Sequence, residues 1–501
     1  MFDLQAILQG FTINLMYIWI IVIGVIFGIF IGIIPGFSTS NTLMVLLPLT
    51  LAMKIEPALI FMAAVYCGAN MGGSVPAILI NAPGEGGAVA TTIDGYQMAV
   101  QGKGQQALVI SNFSSAIGGI IGCAVALFAT PSLAHLALRF GSVEMFVIVL
   151  FGLVLIAQIA ANNLAKGLLA GFFGLLMGAI GFDHMWDIPR ATFGLLEFYD
   201  GMPRIPAMIG LFAVSEALVM LEKTTIATAA QKMILGRQAF WEGIKETLAK
   251  WKLLLISSLT GLIIGAIPGT GASIAGFVSY QYAKSFSKNP DKFGKGAPEG
   301  VLAPEAANNS VTGGALVPTL TLGIPGSGST LVMLIVMQAH GLPIGPRLFQ
   351  AAPVTAYAVI IGLLLAHVLL IFIGLPICYR MAKLTQVPTV ILAPIMMALV
   401  LTAAFAERKY FFDIILALFF GLLGYVMRKT NYPLHSLILG IILGPMAEDY
   451  FVRSMRLGSG SLLVFFSTPL VQVLWVLLII VAVGPGLYRM LTKNKTIAVK
   501  G

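Results

Sequence analysis

Runs of about twenty apolar residues recur from one end of this 501-residue chain to the other. Each is long enough to cross about 30 Å of hydrocarbon as a helix. The runs are continuous and not alternating, which excludes barrel strands. Composition agrees: 58% of the residues are hydrophobic and 10% charged, against about 25% charged in soluble domains. The fold class is therefore all-α, a polytopic integral membrane protein with about 11–15 passages. A first series of passages runs from 14–34 to 204–221 and a second from 252–268 to 462–490. Several are short or interrupted by Gly and Pro, and read as half-helices or re-entrant arms. The first basic residue is Lys54, so the N-terminal run reads as a transmembrane helix and not a cleaved signal.

The net charge of +9 gathers in short loops, the pattern that sets topology and not that of a nucleic-acid face. Loop 222–252, loop 284–300 and the tail with Arg489, Lys493, Lys495 and Lys500 are basic and expected to be cytoplasmic. Loop 182–203, with Asp183, Asp187, Glu197 and Asp200, is expected outside. Arg408 and Lys409 fall on the outer side and break the pattern. Segment 222–252, with Trp241 and Trp251, reads as an amphipathic cytoplasmic connector between a first repeat, 1–221, and a second, 253–501, that ends in a C-terminal helix and a short basic tail. Cys67, Cys123 and Cys378 are far apart in apolar segments, and the five histidines lack metal-ligand spacing. No cofactor and no metal beyond a Na⁺ is expected.

An internal repeat underlies that division. Gly28-x3-Gly32-I-I-Pro35-Gly36 recurs as Gly261-x3-Gly265-A-I-Pro268-Gly269 at an offset of 233. The stretch from Asn70 through Gly72, Gly73, Pro83 and Gly84 is paralleled by that from Ser310 through Gly313, Gly314, Pro325 and Gly326, at an offset of 241 to 242. An odd number of passages between the copies inverts the second. Inverted repeats with broken helices describe secondary transporters whose site lies where the repeats meet. The glycine pairs can equally serve helix packing.

The four helix breaks, Pro35, Pro83, Pro268 and Pro325, free backbone groups, tolerated at membrane depth only inside protein or against a water-filled cavity. Small hydroxyl residues follow three of them. An anion is the matching ligand, because a helix N-terminus offers free N–H groups and partial positive charge. The expected substrate contacts are Ser38, Thr39, Ser40, Asn41, Thr270, Ser273, Ser327, Ser329 and Thr330, with amides of Gly36, Gly269 and Gly326. Each hydroxyl can alternatively be a plain N-cap. Ion contacts are assigned to Asn70, Asn308 and Asn309, which can equally bind substrate or join helices by hydrogen bonds. Glu305 reads as a titrating or cation-binding carboxylate, or as an interfacial glutamate satisfied by Lys295; Asp94 reads as a loop cap.

The chain resembles the large membrane subunit of the tripartite tricarboxylate transporters, the TctA family. The resemblance rests on GIIPGFSTSNTLMVLLPLT (32–50), on 66–108 with NMGGSVPAILINAPGEGG, on GAIPGTGASIAGFVSYQYAKSFSK (265–288), and on 304–349 with PEAANNSVTGGALVPTLTLGIPGSGST. It implies a bacterial inner-membrane system of three parts: this subunit, a small membrane subunit of about four helices, and a periplasmic solute-binding protein. Uptake of citrate-like di- and tricarboxylates would be driven by a Na⁺ or H⁺ gradient; the lack of a P-loop agrees. Glu85 departs from the family pattern, where a small neutral residue such as Thr is expected, and either adds a cation ligand or alters anion choice. An elevator-like alternating-access motion of the two broken hairpins is expected, and a homodimer is one expectation for the assembly. A stand-alone carboxylate symporter is the competing reading. An intramembrane enzyme would need catalytic pairs at depth, and a channel a ring-forming filter; neither stands out.

Overall fold

A computed structural model describes residues 3–159, 164–182, 188–222, 236–268, 271–381, 389–480 and 482. The described residues form helices joined by loops, with one short antiparallel pairing, Gly181–Phe182 with Pro189–Arg190. We label α1 Leu4–Met16, α2 Ile18–Gly32, α3 Thr39–Leu51, α4 Ile55–Ile80, α5 Val89–Val100, α6 Gly104–Ala137, α7 Ser142–Ile159, α8 Leu164–Gly178, α9 Arg204–Met208 and α10 Ser215–Glu222. Then follow α11 Arg237–Ala249, α12 Trp251–Ala266, α13 Gly271–Phe286, α14 Glu299–Leu322, α15 Gly328–Ala339, α16 Leu348–Ala351, α17 Pro353–Met381, α18 Thr389–Arg408, α19 Phe411–Lys429 and α20 Leu434–Leu457.

Among the described residues five helical runs are long and apolar enough to cross a bilayer: α4, α6, Arg204–Glu222, α17 and α19. Two bent pairs raise the count to seven, α1 with α2 at 68° and α11 with α12 at 72°, and shorter apolar helices, α3 and α15 among them, accompany these. Two compact units divide the chain, Met1–Ala137 with Ile209–Leu422, and Leu138–Met208 with Leu423–Gly501. Each is built from two separate stretches of the sequence, one from either half, so compactness cuts across the chain-order segments 1–221, 222–252 and 253–501.

In the first unit α14 and α4 form the interior. The hydrophobic window of α4 is wholly buried by protein, so its apolar side chains answer to neighbouring helices and not to lipid. Close backbone approach makes this burial possible. A methyl group at Gly28 of α2 would lie 2.5 Å from the Val65 carbonyl oxygen of α4, and one at Gly32 would lie 2.5 Å from that of Ala69. Gly265 of α12 meets the Val311 carbonyl of α14 in the same manner, at 2.6 Å. The paired Gly-x3-Gly motifs thus pack helices, as small residues do where lipid gives no hydrophobic drive. Gly28→Val is expected to lower stability by about 1–3 kcal/mol through overpacking. Its thermal midpoint should fall well below that of Gly171→Ala, whose added methyl group finds its nearest neighbour 3.8 Å away; equal midpoints would contradict this packing.

The same order of elements occurs twice in this unit. After α2 the chain breaks, resumes as α3, and runs through α4 to a left-handed cap at Asn81, φ 56°, whose amide donates to the Pro76 carbonyl. After α12 it resumes as α13 and runs through α14 to Gly323, φ 72°, whose amide donates to the Pro318 carbonyl. Capping five residues back leaves the helix end closed and turns the chain toward α5 and α15.

The N-terminal apolar run is bent by 68° at Tyr17. Its first part, α1, is held against α17 by Asn14, whose amide donates to the Ala358 carbonyl at 2.9 Å. Helix α11 lies against α6 through Gly243 on Val109 and turns Trp241 outward, 51% exposed. Arg408 pairs with Asp413, its Nε 3.0 Å from Oδ2, so the cation that breaks the loop charge pattern has a carboxylate of its own. In the second unit α20 packs on α7 and α8, and Arg190 forms a two-pronged pair with Glu448 at 2.5 and 2.9 Å. Residues 183–187 and 223–235 and the basic tail lie outside the described residues.

Candidate functional site

Helix α3 begins beside the first Pro-Gly step because the chain there is extended and then capped. Ser38 has φ −61° and ψ 155°, and its hydroxyl accepts the Asn41 amide at 3.3 Å. Gly36, at φ 77°, donates its amide to the Pro83 carbonyl at 3.2 Å, which ties the first break to the tip after α4. Such a φ favours glycine. Gly84 in turn donates to the Gly73 carbonyl at 2.9 Å, so the tip folds back onto α4.

Four buried polar residues from three helices and this tip close into a ring. Thr39 donates to Asn70 Oδ1 at 2.8 Å, with Glu85 Oε2 at 3.3 Å as a second acceptor. Asn70 Nδ2 donates to the Asn308 carbonyl at 3.4 Å, and Asn308 Nδ2 donates to Glu85 Oε1 at 2.8 Å. Exposure is 4% for Thr39, 1% for Asn70, 9% for Glu85 and 0% for Asn308. Asn308 Oδ1 and Asn41 Oδ1 are buried without a hydrogen-bond partner, although Asn41 Nδ2 donates to Glu216 Oε2 at 3.4 Å. Buried polar atoms are almost always satisfied, so these oxygens mark places where a ligand, ion or water would be bound.

The start of α15 lies against this region. Ser327 and Thr330 form a reciprocal capping box, Thr330 N to Ser327 Oγ at 3.2 Å and Ser327 N to Thr330 Oγ1 at 3.0 Å. Gly326 donates to Thr319 Oγ1 at 3.2 Å. Across the helices, Tyr66 and Ser327 hydroxyls are 3.1 Å apart and those of Ser40 and Ser329 are 3.4 Å apart. Two helix N-termini thus stand side by side, each with amide groups and the positive end of a helix dipole. Ser273 of α13 lies against the same tip; a methyl group on Gly86 would come within 2.5 Å of its hydroxyl.

Residues 38–41, 70, 308, 327, 329 and 330 are therefore neighbours, with Ser273 against Gly86. Gly269 and Thr270 lie outside the described residues. Ser38, Ser327 and Thr330 are engaged as caps of their own helices; Ser327 also reaches Tyr66, and Ser40 and Ser329, which cap nothing, face each other across the helices. Among the described residues no hydrogen bond joins the starts of α3 and α13; each meets the hairpin tip from the other half. Asn309, one residue past Asn308 and so about 100° around α14, is fully buried and hydrogen-bonded by neither side-chain atom. It is not part of the ring.

Sequence reasoning left Glu85 between two roles, a cation ligand or a change of anion choice, and missed Tyr66, Ser74, Thr91, Ser115 and Glu216. The signal for Glu85 was a charge in an otherwise apolar tip; the hydroxyls gave none, since they resemble ordinary helix residues. Glu305 is not satisfied by Lys295. It is fully buried and receives Ser74, Thr91 and Ser115 hydroxyls, whereas Glu299 pairs with Lys250 at 2.7 Å. Asp94 lies inside α5 and caps a distant loop: its Oδ1 accepts the Gly294, Gly296 and Ala297 amides at 2.9, 2.8 and 2.8 Å.

Apolar helices, broken beside paired Pro-Gly steps and enclosing a buried polar ring, define a multi-pass membrane protein. Its sequence matches the Tripartite tricarboxylate transporter TctA family over residues 18–439. The chain belongs to that family, and so is a transporter subunit that works with partner subunits. It is similar to an uncharacterized 52.8 kDa protein in the TAR-I ttuC' 3' region of Agrobacterium vitis, 31% identical over 448 residues, 89% of each chain. It is also similar to an uncharacterized protein in the TAR-II ttuC' 3' region of the same organism, 31% identical over 210 residues, 42% of this chain and 87% of that one. No solved structure matches.

Proposed function

We propose that this subunit carries a citrate-like di- or tricarboxylate inward across the bacterial inner membrane, driven by a Na⁺ or H⁺ gradient. A periplasmic solute-binding protein delivers the anion, and a small four-helix membrane subunit completes the complex. The observation that carries this reading is the pair of capped helix N-termini, α3 and α15, with Ser40 and Ser329 hydroxyls 3.4 Å apart. Neutral donors at helix N-termini suit a carboxylate without burial of Lys or Arg. Glu85, beside them, would repel an anion unless a cation accompanied it, which supports coupling to a cation gradient. The ring oxygens of Asn70 and Asn308 are the ion contacts in this reading. The twofold order of elements supports inverted repeats and an elevator-like motion of the α4–α5 and α14–α15 hairpins.

Uptake of labelled di- and tricarboxylates into vesicles tests the proposal. The chain is co-expressed with its small subunit and supplied with saturated binding protein, with and without an imposed Na⁺ or H⁺ gradient. Uptake is expected to need both the binding protein and one gradient. Uptake without the binding protein would instead make the chain a stand-alone symporter. No uptake of any carboxylate by the assembled complex would remove the anion assignment.

A further inference from the structure

Glu305 of α14 is fully buried, and its partners are all hydroxyls. Ser74 of α4 lies 2.7 and 2.8 Å from Oε1 and Oε2, Thr91 of α5 lies 2.5 Å from Oε1, and Ser115 of α6 lies 2.8 Å from Oε2. Ser111, one turn before Ser115 on the same face of α6, also interacts with this carboxylate, but its fully buried hydroxyl makes no hydrogen bond of normal geometry. No lysine or arginine pairs with Glu305 among the described residues. A lone carboxylate held away from water is unfavourable by several kcal/mol in order of magnitude, and three hydroxyl donors offset part of that. The remaining charge has to be balanced from outside the chain.

We propose that Glu305, Ser74, Thr91, Ser115 and Ser111 form a binding site for Na⁺. The donor set is oxygen only, as a hard cation requires. It carries one negative charge, which matches a monovalent ion; no group of three or more His, Cys, Asp or Glu stands together among the described residues. Hydroxyls can donate to the carboxylate and still turn lone pairs to a cation, and the unpartnered Ser111 oxygen is the extra ligand that a proton on Glu305 would not use. The five residues come from four helices, so an ion here would draw α4 and α5 against α6 and α14. Glu305 also lies one turn before Asn308, the residue that holds Glu85. As a coupling site it rests on the transport reading above; as a Na⁺ site it stands without it.

The test reads Na⁺ binding with no substrate present. The full-length chain, purified into lipid nanodiscs, is heated while NaCl replaces choline chloride at constant ionic strength. The thermal midpoint of the wild type is expected to rise with Na⁺ as mass action requires, and the rise is expected to be clearly smaller in Glu305→Gln. If that variant does not fold, Ser111→Ala decides, because its hydroxyl has no hydrogen bond to lose; its half-saturating Na⁺ concentration should rise by about tenfold. A wild-type midpoint that responds to pH but not to Na⁺, an undiminished Na⁺ response in Glu305→Gln, or an unchanged half-saturation in Ser111→Ala would each overturn the site. A failed carboxylate uptake assay would leave these results standing, so the two readings fail separately.

Discussion

Asp94→Ala is expected to leave almost no folded protein. The carboxylate accepts three backbone amides, from Gly294, Gly296 and Ala297, and the Tyr280 hydroxyl at 2.9 Å, all in a fully buried position. Gly294 and Gly296 have φ of 82° and 97°, which turns successive amides inward as a nest for an anionic group. Alanine strands all four donors. At about 1–3 kcal/mol for each unsatisfied buried group, the loss approaches the roughly 5–15 kcal/mol that holds a typical protein folded. Asp94→Asn keeps one carbonyl oxygen for the amides and is expected to fold with a lowered thermal midpoint. The measurement is the yield of monodisperse protein and its midpoint in detergent. Wild-type yield from Asp94→Ala would show that loop 294–297 is held by other means.

Asn308→Ala is expected to reduce carboxylate uptake by about 10- to 100-fold. Its Nδ2 is the closest donor to Glu85 Oε1, at 2.8 Å, and its carbonyl receives Asn70. A hydrogen bond to a charged group contributes about 1.5–3 kcal/mol, and 1.4 kcal/mol is about tenfold in rate. The alanine variant also leaves a buried carboxylate less satisfied beside the anion path. Asn309→Ala, whose side chain makes no hydrogen bond in the ring, is expected to lose less. Uptake rates of the two variants, normalised to the amount of protein in the membrane, decide the matter. A larger loss from Asn309→Ala would move the site to the other face of α14.

The contrast between these two asparagines shows where sequence reading stops. Asn308 and Asn309 are equivalent as polar residues in an apolar run, and only the rotation of α14 against α4 gives one of them Glu85 and Asn70. The hydroxyls behave likewise. Ser38, Ser327 and Thr330 follow Pro-Gly steps as Ser40 and Ser329 do, yet the first three cap their own helices while the other two cap none and meet each other across the helices. Capping is a local choice made by backbone angles, and a one-letter string does not carry those angles. Gly28-x3-Gly32 could be read as packing or as part of the broken-helix site; the 2.5 Å approach to Val65 places it in packing.

Some properties follow from the chain without any fold. Continuous apolar runs force helices, because a backbone in hydrocarbon must satisfy its own hydrogen bonds. Pro-Gly steps fall where a helix cannot continue, and α2 and α14 end three residues before Pro35 and Pro325. The motifs of 32–50, 66–108, 265–288 and 304–349 point to the family, because they spell local backbone shapes that recur wherever they occur. Partnerships between residues far apart in the chain are of another kind. Glu305 with Ser74, Thr91 and Ser115, and Asp94 with loop 294–297, join residues more than 180 positions apart. A carboxylate carries the same letter whether it faces water, a lysine or a shell of hydroxyls. Only the packing of α4, α5 and α6 around α14 decides which, since burial and partner choice are properties of neighbours in space.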